Sequence, residues 1–201
     1  ISVLIDASPA RSVSVGNING NTYSFWRNQA TSSTATTFIG YRNELNQVYN
    51  NCSRGINGAP DLMLSDQAAW ETFWLSMTQN ERYIVDNKKT LDILGGSDAL
   101  KFRGATWFWD EVVPDAETNA TIVAIGSSLA LGTDTVSTVY YINTPSFDYV
   151  VESDTDMDTT PFLRPENQDA SVAQILWMGA IGVNQRRKNG VLYGISRSIT
   201  S

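Results

Sequence analysis

The sequence predicts a fold that contains both helices and strands, and three observations support this. Apolar residues recur at steps of three and four in segments 37–55 and 65–77, which is the spacing of an amphipathic helix. After residue 100 the pattern changes to short runs rich in aromatic and β-branched residues, which is typical of strands. At 201 residues the chain suits one domain, or two small ones packed together, and it can bury roughly 70 % of its unfolded surface.

The first 35 residues are rich in Ser, Thr, Asn and Gly and predict an extended arm. Within this arm Tyr23 and Phe25 alternate with Ser24, which favours one face of a strand. The chain begins at Ile1 rather than at Met, which leads us to expect a processed or truncated N-terminus.

Two helices are predicted next, each from an apolar stripe. Gly55 is placed to end the first helix, and the Ser65 hydroxyl is the predicted N-cap of the second. A strand at 61–64 separates them, and a short third helical segment is expected at 81–92. The two stripes consist of Phe38, Tyr41, Leu45 and Val48, and of Trp70, Phe73, Trp74 and Met77.

The remaining elements are predicted to be strands. Segment 100–110 has large side chains at both alternating sets of positions, so we expect one central strand there. A long polar loop follows at 115–136. Strands are expected at 136–143 and 147–152, then an acidic loop, and a long strand or bent ribbon at 170–183.

The composition excludes most catalytic chemistry. The chain has no histidine, which removes Ser-His-Asp and Cys-His catalysis and most zinc sites. It lacks the glycine-rich motifs that bind nucleotide phosphates. Cys52, the one cysteine, has no pattern of basic neighbours and reads as a small apolar residue rather than a nucleophile. We therefore expect no enzyme, no catalytic residue, no metal and no cofactor.

One catalytic alternative stays open. Glycoside hydrolysis requires only two carboxyl groups about 5 to 9.5 Å apart. Asp110, Glu111, Asp115 and Glu117 lie beside an aromatic strand and offer such pairs. Stacking of Trp70 on Trp74 would suit a sugar-binding platform, although the spacing favours packing. An aromatic-rich carbohydrate-binding or glycosidase domain is therefore a minor alternative.

The acidic segment beginning at Glu152 resembles the start of a calcium loop, because three aspartates follow at steps of two. Thr159 stands where such a loop needs glycine, and no glutamate occupies the twelfth position. A solvated loop is the favoured interpretation.

Charge and hydropathy limit the partners. The net charge of −7 disfavours a dedicated nucleic-acid binder, which needs clustered Lys and Arg. The one run of three basic residues is Arg186-Arg187-Lys188, which can pair with carboxylates of a neighbouring copy, lie in a solvated turn, or contact DNA. No run approaches the roughly 18 apolar residues of a membrane span, so we expect no membrane partner.

Seven segments taken in order resemble the major capsid proteins of tailed double-stranded DNA bacteriophages, of the Hong Kong 97 type. The resemblance covers about residues 36–195 and rests on the order of the segments, since no single motif is diagnostic. The segments are Phe38–Tyr49, Pro60–Leu64, Ala68–Met77, Leu100–Asp110, Tyr140–Thr144, Asn167–Ala170 and Asn184–Leu192.

The resemblance implies an α+β subunit with the Hong Kong 97-like capsid fold. Residues 1–57 would hold a remnant of the N-terminal arm and the spine helix of a peripheral part. Residues 58–160 would form an axial part with a mixed sheet, and residues 161–201 would return to the peripheral part.

In function, the resemblance implies a structural subunit of an icosahedral bacteriophage or prophage head that assembles around double-stranded DNA. Its partners would be further copies in pentamers and hexamers, the packaged DNA by proximity, and portal, scaffold or decoration proteins. It would reside in the virion, and in the host cytoplasm during assembly. The alternative is an encapsulin-like nanocompartment subunit with protein cargo. By residue type, the candidates for subunit interfaces are Trp26, Trp107, Trp109, Arg186 and Arg187.

Overall fold

The computed structural model describes residues 4–7, 9, 14–55, 58–78, 100–110, 113, 136–164, 166–167 and 169–199. Its contacts divide the chain into two compact units. Unit 1 contains the residues up to Thr144 together with those from Gln185 onward, and unit 2 is the intervening segment Pro145–Asn184.

Unit 1 is built on a mixed six-stranded sheet with the strand order β3-β10-β7-β4-β6-β5. β10 is parallel to β3 and β4 is parallel to β6, whereas the other neighbours are antiparallel. The strands are β3 Gln29–Ser32, β4 Leu62–Ser65, β5 Leu100–Phe102, β6 Ala105–Trp109, β7 Val136–Ile142 and β10 Gly190–Ser196. A small hairpin of β1 (Ser14–Val15) and β2 (Ile18–Asn19) precedes the sheet.

The first predicted helix is confirmed as α1, Phe38–Cys52. The Thr37 hydroxyl accepts a hydrogen bond from the Gly40 amide at 3.2 Å, which satisfies one of the free donors of the first turn. Its apolar stripe is buried, with Tyr41, Leu45 and Val48 at 0 % exposure. Gly55, with a φ of +100°, lies just beyond the helix, where left-handed backbone favours glycine.

The second helix, α2, spans Gln67–Thr78 and begins one residue later than an N-cap at Ser65 implies. Ser65 does not cap it. The residue ends β4, and its buried hydroxyl donates to the Asp66 carbonyl and accepts from Trp107 Nε1 at 2.8 Å. The Ser65 hydroxyl, which the sequence predicts to cap α2, therefore bonds instead to Trp107 on the neighbouring strand β6.

One apolar core joins α1 and α2 to the sheet. The Tyr41 hydroxyl donates to the Ala69 carbonyl at 3.1 Å and so links the two helices. The Tyr141 hydroxyl on β7 donates to the Leu45 carbonyl at 3.1 Å. Gly190 faces α1 so closely that a Cβ there would lie 2.6 Å from Cys52 Sγ. Close packing of this kind explains why a glycine occupies the start of β10.

Segment 100–110 is a hairpin, not the single central strand that was predicted. β5 and β6 pair with Phe102 opposite Ala105, which leaves Arg103 and Gly104 as a two-residue turn. Both turn residues have positive φ, +50° and +95°. Two-residue hairpin turns need positive φ at both positions when their twist matches that of the flanking strands. β5 is consequently at the edge of the sheet.

The first 35 residues do not form a free arm where they are described. β3 is an edge strand of the sheet, and its register places Gln29 opposite Gly190. Ile5 is fully buried, and the Asn28 side chain both donates to and accepts from the Asp6 backbone. Tyr23 and Phe25 lie at a 3₁₀ turn rather than on a strand, and both are exposed.

Unit 2 is a two-stranded antiparallel ribbon of β8, Phe147–Thr159, and β9, Ile175–Val183. β9 confirms the long strand predicted in 170–183. The acidic loop after residue 152 is not a loop, because β8 continues through it with irregular pairing between Val151 and Asp158. Among the described residues no group of His, Cys, Asp or Glu could hold a metal ion, so the calcium interpretation gains no support.

The predicted helical segment at 81–92 and the loop at 115–135 lie outside the described residues. The proposed division into a peripheral and an axial part stays a prediction, although its three segments do not coincide with units 1 and 2. In particular α1, predicted to be peripheral, packs on the same sheet as β4 and β6. Neither of the helices that the structure describes is long and apolar enough to cross a membrane.

Candidate assembly surfaces

The ribbon of unit 2 exposes an unusual amount of apolar surface. No described side chain of β8 or β9 is buried. Exposed large apolar residues mark interaction sites when they are contiguous rather than scattered. On these two strands they are Tyr149, Val150, Met157, Ile175, Leu176, Trp177, Met178 and Ile181.

Three of these side chains form a cluster on one face of the ribbon. Tyr149 lies directly opposite Ile181, and the Trp177 ring stacks on Tyr149 with centroids 6.1 Å apart and planes 19° apart. The indole covers Gly179, where a Cβ would lie 2.7 Å from the ring. The small residue thus lets Trp177 lie flat across the strand. We call Tyr149, Trp177 and Ile181 the ribbon cluster.

The ribbon cannot owe its stability to a core of its own. A two-stranded hairpin is at best marginally stable in water and needs packing on another surface. Ile181 is 62 % exposed and Trp177 46 % exposed, so much of their apolar area remains available for burial. Burying a large apolar side chain contributes about 1.5–3 kcal/mol. The ribbon cluster is therefore the strongest candidate for a contact with another chain.

Most of the net negative charge of the chain lies in unit 2. Unit 2 carries seven acidic residues and a single basic one, Arg164, which gives a net charge of −6 out of −7 for the whole chain. Arg164 already pairs with Asp169 at 3.0 Å. Four of the acids form an exposed run on β8 at Glu152, Asp154, Asp156 and Asp158. A partner of the ribbon must accommodate both apolar and negative surface.

The structure separates the five predicted interface residues into two groups. Trp107 is 0 % exposed and Arg186 is 2 % exposed, with the Arg186 Nε donating to the Leu4 carbonyl at 2.6 Å. The structure gives no support to an interface role for Trp107, because its side chain lies in the core of unit 1, and Arg186 is likewise buried and bonded within the chain. Trp26 is partly buried, whereas Trp109 and Arg187 are exposed, so a role at an interface stays a prediction for these three.

Three sequence segments that carried the resemblance meet in unit 1. The Asn143 amide donates to Asn189 Oδ1 at 2.8 Å, and the Asn143 side chain donates to the Ala59 carbonyl at 2.9 Å. Thr144 donates its amide to Asp61 Oδ1 at 2.8 Å and also its hydroxyl to the same carboxylate. These asparagines and this aspartate tie together the ends of β7, β4 and β10. Their hydrogen bonds hold these strand ends together.

The carboxylates of the glycosidase alternative are only partly described. Asp110 is exposed at the end of β6, and the other three lie outside the described residues. Trp70 and Trp74 stack with centroids 5.6 Å apart and planes 10° apart. Trp70 packs against the core, whereas Trp74 is 38 % exposed. Only the Trp74 ring is therefore available to stack on a sugar, and the pair does not form an open binding platform.

Cys52 has the properties of a structural thiol. Burial raises its pKa to about 12, and its sulfur lies on the last turn of α1 against Gly190. Because the thiolate is the reactive form, Ellman's reagent at pH 8 should label the folded chain at least a hundredfold more slowly than the chain in 6 M guanidinium. Rapid labelling of the folded chain would contradict the observed packing of α1 on β10.

No protein-family model matches the sequence, and no curated protein matches it. Among solved structures, the chain is similar to a protein in the cryo-electron microscopy structure of the holo-SrpI encapsulin complex from Synechococcus elongatus PCC 7942. The TM-score is 0.50 at 13 % sequence identity, and the match covers 92 % of this chain. The chain spans 60 % of the length of that protein. In fold, it is thus an α+β protein, with two described helices and a mixed sheet, that is similar to an encapsulin with its Hong Kong 97-like fold.

Proposed function

We propose that this chain is a structural subunit of a closed protein shell and has no enzymatic activity. The observation that carries the proposal is the fold similarity to an encapsulin over 92 % of the chain. The exposed ribbon cluster supports it independently, because a chain with such a surface gains free energy by binding further copies. On this proposal the peripheral and axial parts predicted from the sequence contribute to different contacts between pentamers and hexamers.

Two kinds of shell fit these observations equally well. A bacteriophage or prophage head is supported by the ordered segments between Phe38 and Leu192 that resemble major capsid proteins. An encapsulin-like compartment with protein cargo is supported by the structural similarity. In the first case the chain would function in the virion, after assembly in the host cytoplasm beside portal, scaffold or decoration proteins. The net charge of −7 suits an inner face that repels packaged DNA rather than gripping it.

The first test is the size and shape of the purified protein. We expect size-exclusion chromatography to give a peak far above 22.1 kDa, and negative-stain electron microscopy to show uniform rings or closed shells. A strictly monomeric protein over a hundredfold concentration range would overturn the proposal. It would also make Asp110 the next residue to test in a carbohydrate-binding assay.

The contents of the particles distinguish the two kinds of shell. Nuclease-resistant double-stranded DNA inside particles isolated from the native source would identify a phage head. Stoichiometric copurifying protein without nucleic acid would identify a cargo compartment. Ultraviolet absorbance ratios and mass spectrometry of washed particles provide both readouts.

A further inference from the structure

One exposed face of unit 1 is basic although the unit as a whole is nearly neutral. Arg42, Asn46 and Asn50 follow each other at steps of four and form one stripe along α1, and Arg54 lies two residues beyond the end of the helix. Arg103 reaches this stripe from the turn between β5 and β6. Its Nη1 donates to Asn50 Oδ1 at 2.6 Å and to Asn46 Oδ1 at 3.4 Å. We call these five residues the α1 stripe.

The three arginines of the α1 stripe have no salt-bridge partner among the residues that the structure describes. Arg42, Arg54 and Arg103 are all exposed. Arg103 is held in place by its amide partners and by the Tyr49 ring, 4.9 Å from its guanidinium carbon. Two neutral asparagines, rather than glutamates, therefore position the Arg103 guanidinium, and none of the described carboxylates neutralises it.

The acidic run on β8 is opposite in charge to the α1 stripe. Glu152, Asp154, Asp156 and Asp158 are all exposed, and so are the three arginines of the stripe. Both features also have apolar neighbours, since Ile39, one turn before Arg42, is 75 % exposed and the ribbon cluster lies on the same ribbon as the acids.

We propose that the acidic ribbon of one copy docks along the α1 stripe of a second copy. The inference rests on the proposed shell function and specifies which two surfaces meet. Pairing of two ribbons with each other would place two units of charge −6 side by side, which like-charge repulsion opposes. Nucleic acid is a poorer occupant of the α1 stripe, because three arginines make few phosphate contacts and the chain is acidic overall.

The test is a charge swap in the 201-residue chain. One variant carries Arg42→Glu and Arg54→Glu, and the other carries Asp154→Arg and Asp156→Arg. Sedimentation velocity in 150 mM NaCl measures the concentration at which association begins. Each variant alone should need about tenfold more protein or more, since each reversal turns an attractive pair into a repulsive one. An equimolar mixture should associate at nearly the parent concentration, because opposite charges then meet across copies.

The two variants control for net charge. The first changes the net charge from −7 to −11 and the second changes it to −3, so general repulsion alone would make the second associate more readily than the parent. Lys101→Glu, on an exposed position of β5 outside the α1 stripe, serves as a control that should leave association unchanged. Arg103 is left intact because its turn contributes to the sheet.

The outcomes separate this inference from the proposed function. If the parent chain never associates, both are wrong. If the parent associates but the mixture does no better than the separate variants, only the ribbon-to-stripe contact is wrong. Binding of short double-stranded DNA that is lost in the arginine variant would assign the α1 stripe to nucleic acid and would also overturn the contact.

Discussion

Replacing Trp107 by alanine is expected to lower the free energy of unfolding by about 3–5 kcal/mol, the usual cost of deleting a large aromatic ring from a core. Trp107 is completely buried, and its ring lies 5.0 Å from that of Phe73 between centroids. The substitution also removes the donor to Ser65 Oγ. Since domains are stable by only about 5–15 kcal/mol, a loss of this size consumes much of the total.

Urea unfolding followed by far-ultraviolet circular dichroism measures the change. Trp109→Ala is the matched control, because it removes the same side chain two residues later on β6 from a position that is 42 % exposed. We expect it to cost about 1 kcal/mol. Equal losses at the two positions would contradict the core assignment of Trp107.

Replacing Ile181 by aspartate is expected to prevent assembly while leaving unit 1 folded. The substitution puts a carboxylate in the centre of the ribbon cluster, opposite Tyr149. Any contact that buries this position loses about 1.5–3 kcal/mol of apolar burial and gains the cost of desolvating a charge. Through burial alone, each contact is weakened about 10- to 150-fold. A shell repeats the contact in every subunit, so particle formation should disappear in size-exclusion chromatography and electron microscopy.

Leu75→Asp provides the matched control for Ile181→Asp. Leu75 is an aliphatic residue on α2 with 55 % exposure, close to the 62 % of Ile181, and it belongs to unit 1. Its replacement introduces the same charge into the chain. Assembly that survives Ile181→Asp but fails with Leu75→Asp would move the contact surface from the ribbon to α2.

The elements that were predicted correctly are those whose structure depends on residues close together in the sequence. α1 has a capping Thr37, an apolar stripe and a terminal glycine within twenty residues, and all three act within one helix. The turn at Arg103 and Gly104 was missed because large residues continue on both sides of it. A glycine inside a strand pattern was the available signal, since such glycines often mark bends.

The elements that were predicted wrongly owe their structure to residues that are distant in the sequence. Aspartates are depleted in strands, so the run after Glu152 read as a loop, whereas its pairing with β9 makes it a strand with both faces open to solvent. β3 has no strand pattern of its own and takes its register from β10. Residue type alone likewise cannot distinguish Trp107, which is buried against Phe73 of α2, from Trp109, which is exposed.

The position of β10 determines when the chain can finish folding. β10 lies between β3 and β7 and pairs with both, although β3 is the first strand of the sheet to be synthesised and β10 the last. At 5–20 residues per second, β3 waits about ten to thirty seconds for its partner to leave the ribosome. Such non-local pairing is slow, and until Ser196 has emerged β3 lacks its partner strand and β7 forms the edge of the sheet. Chains that stop before β10 therefore leave the sheet of unit 1 unfinished.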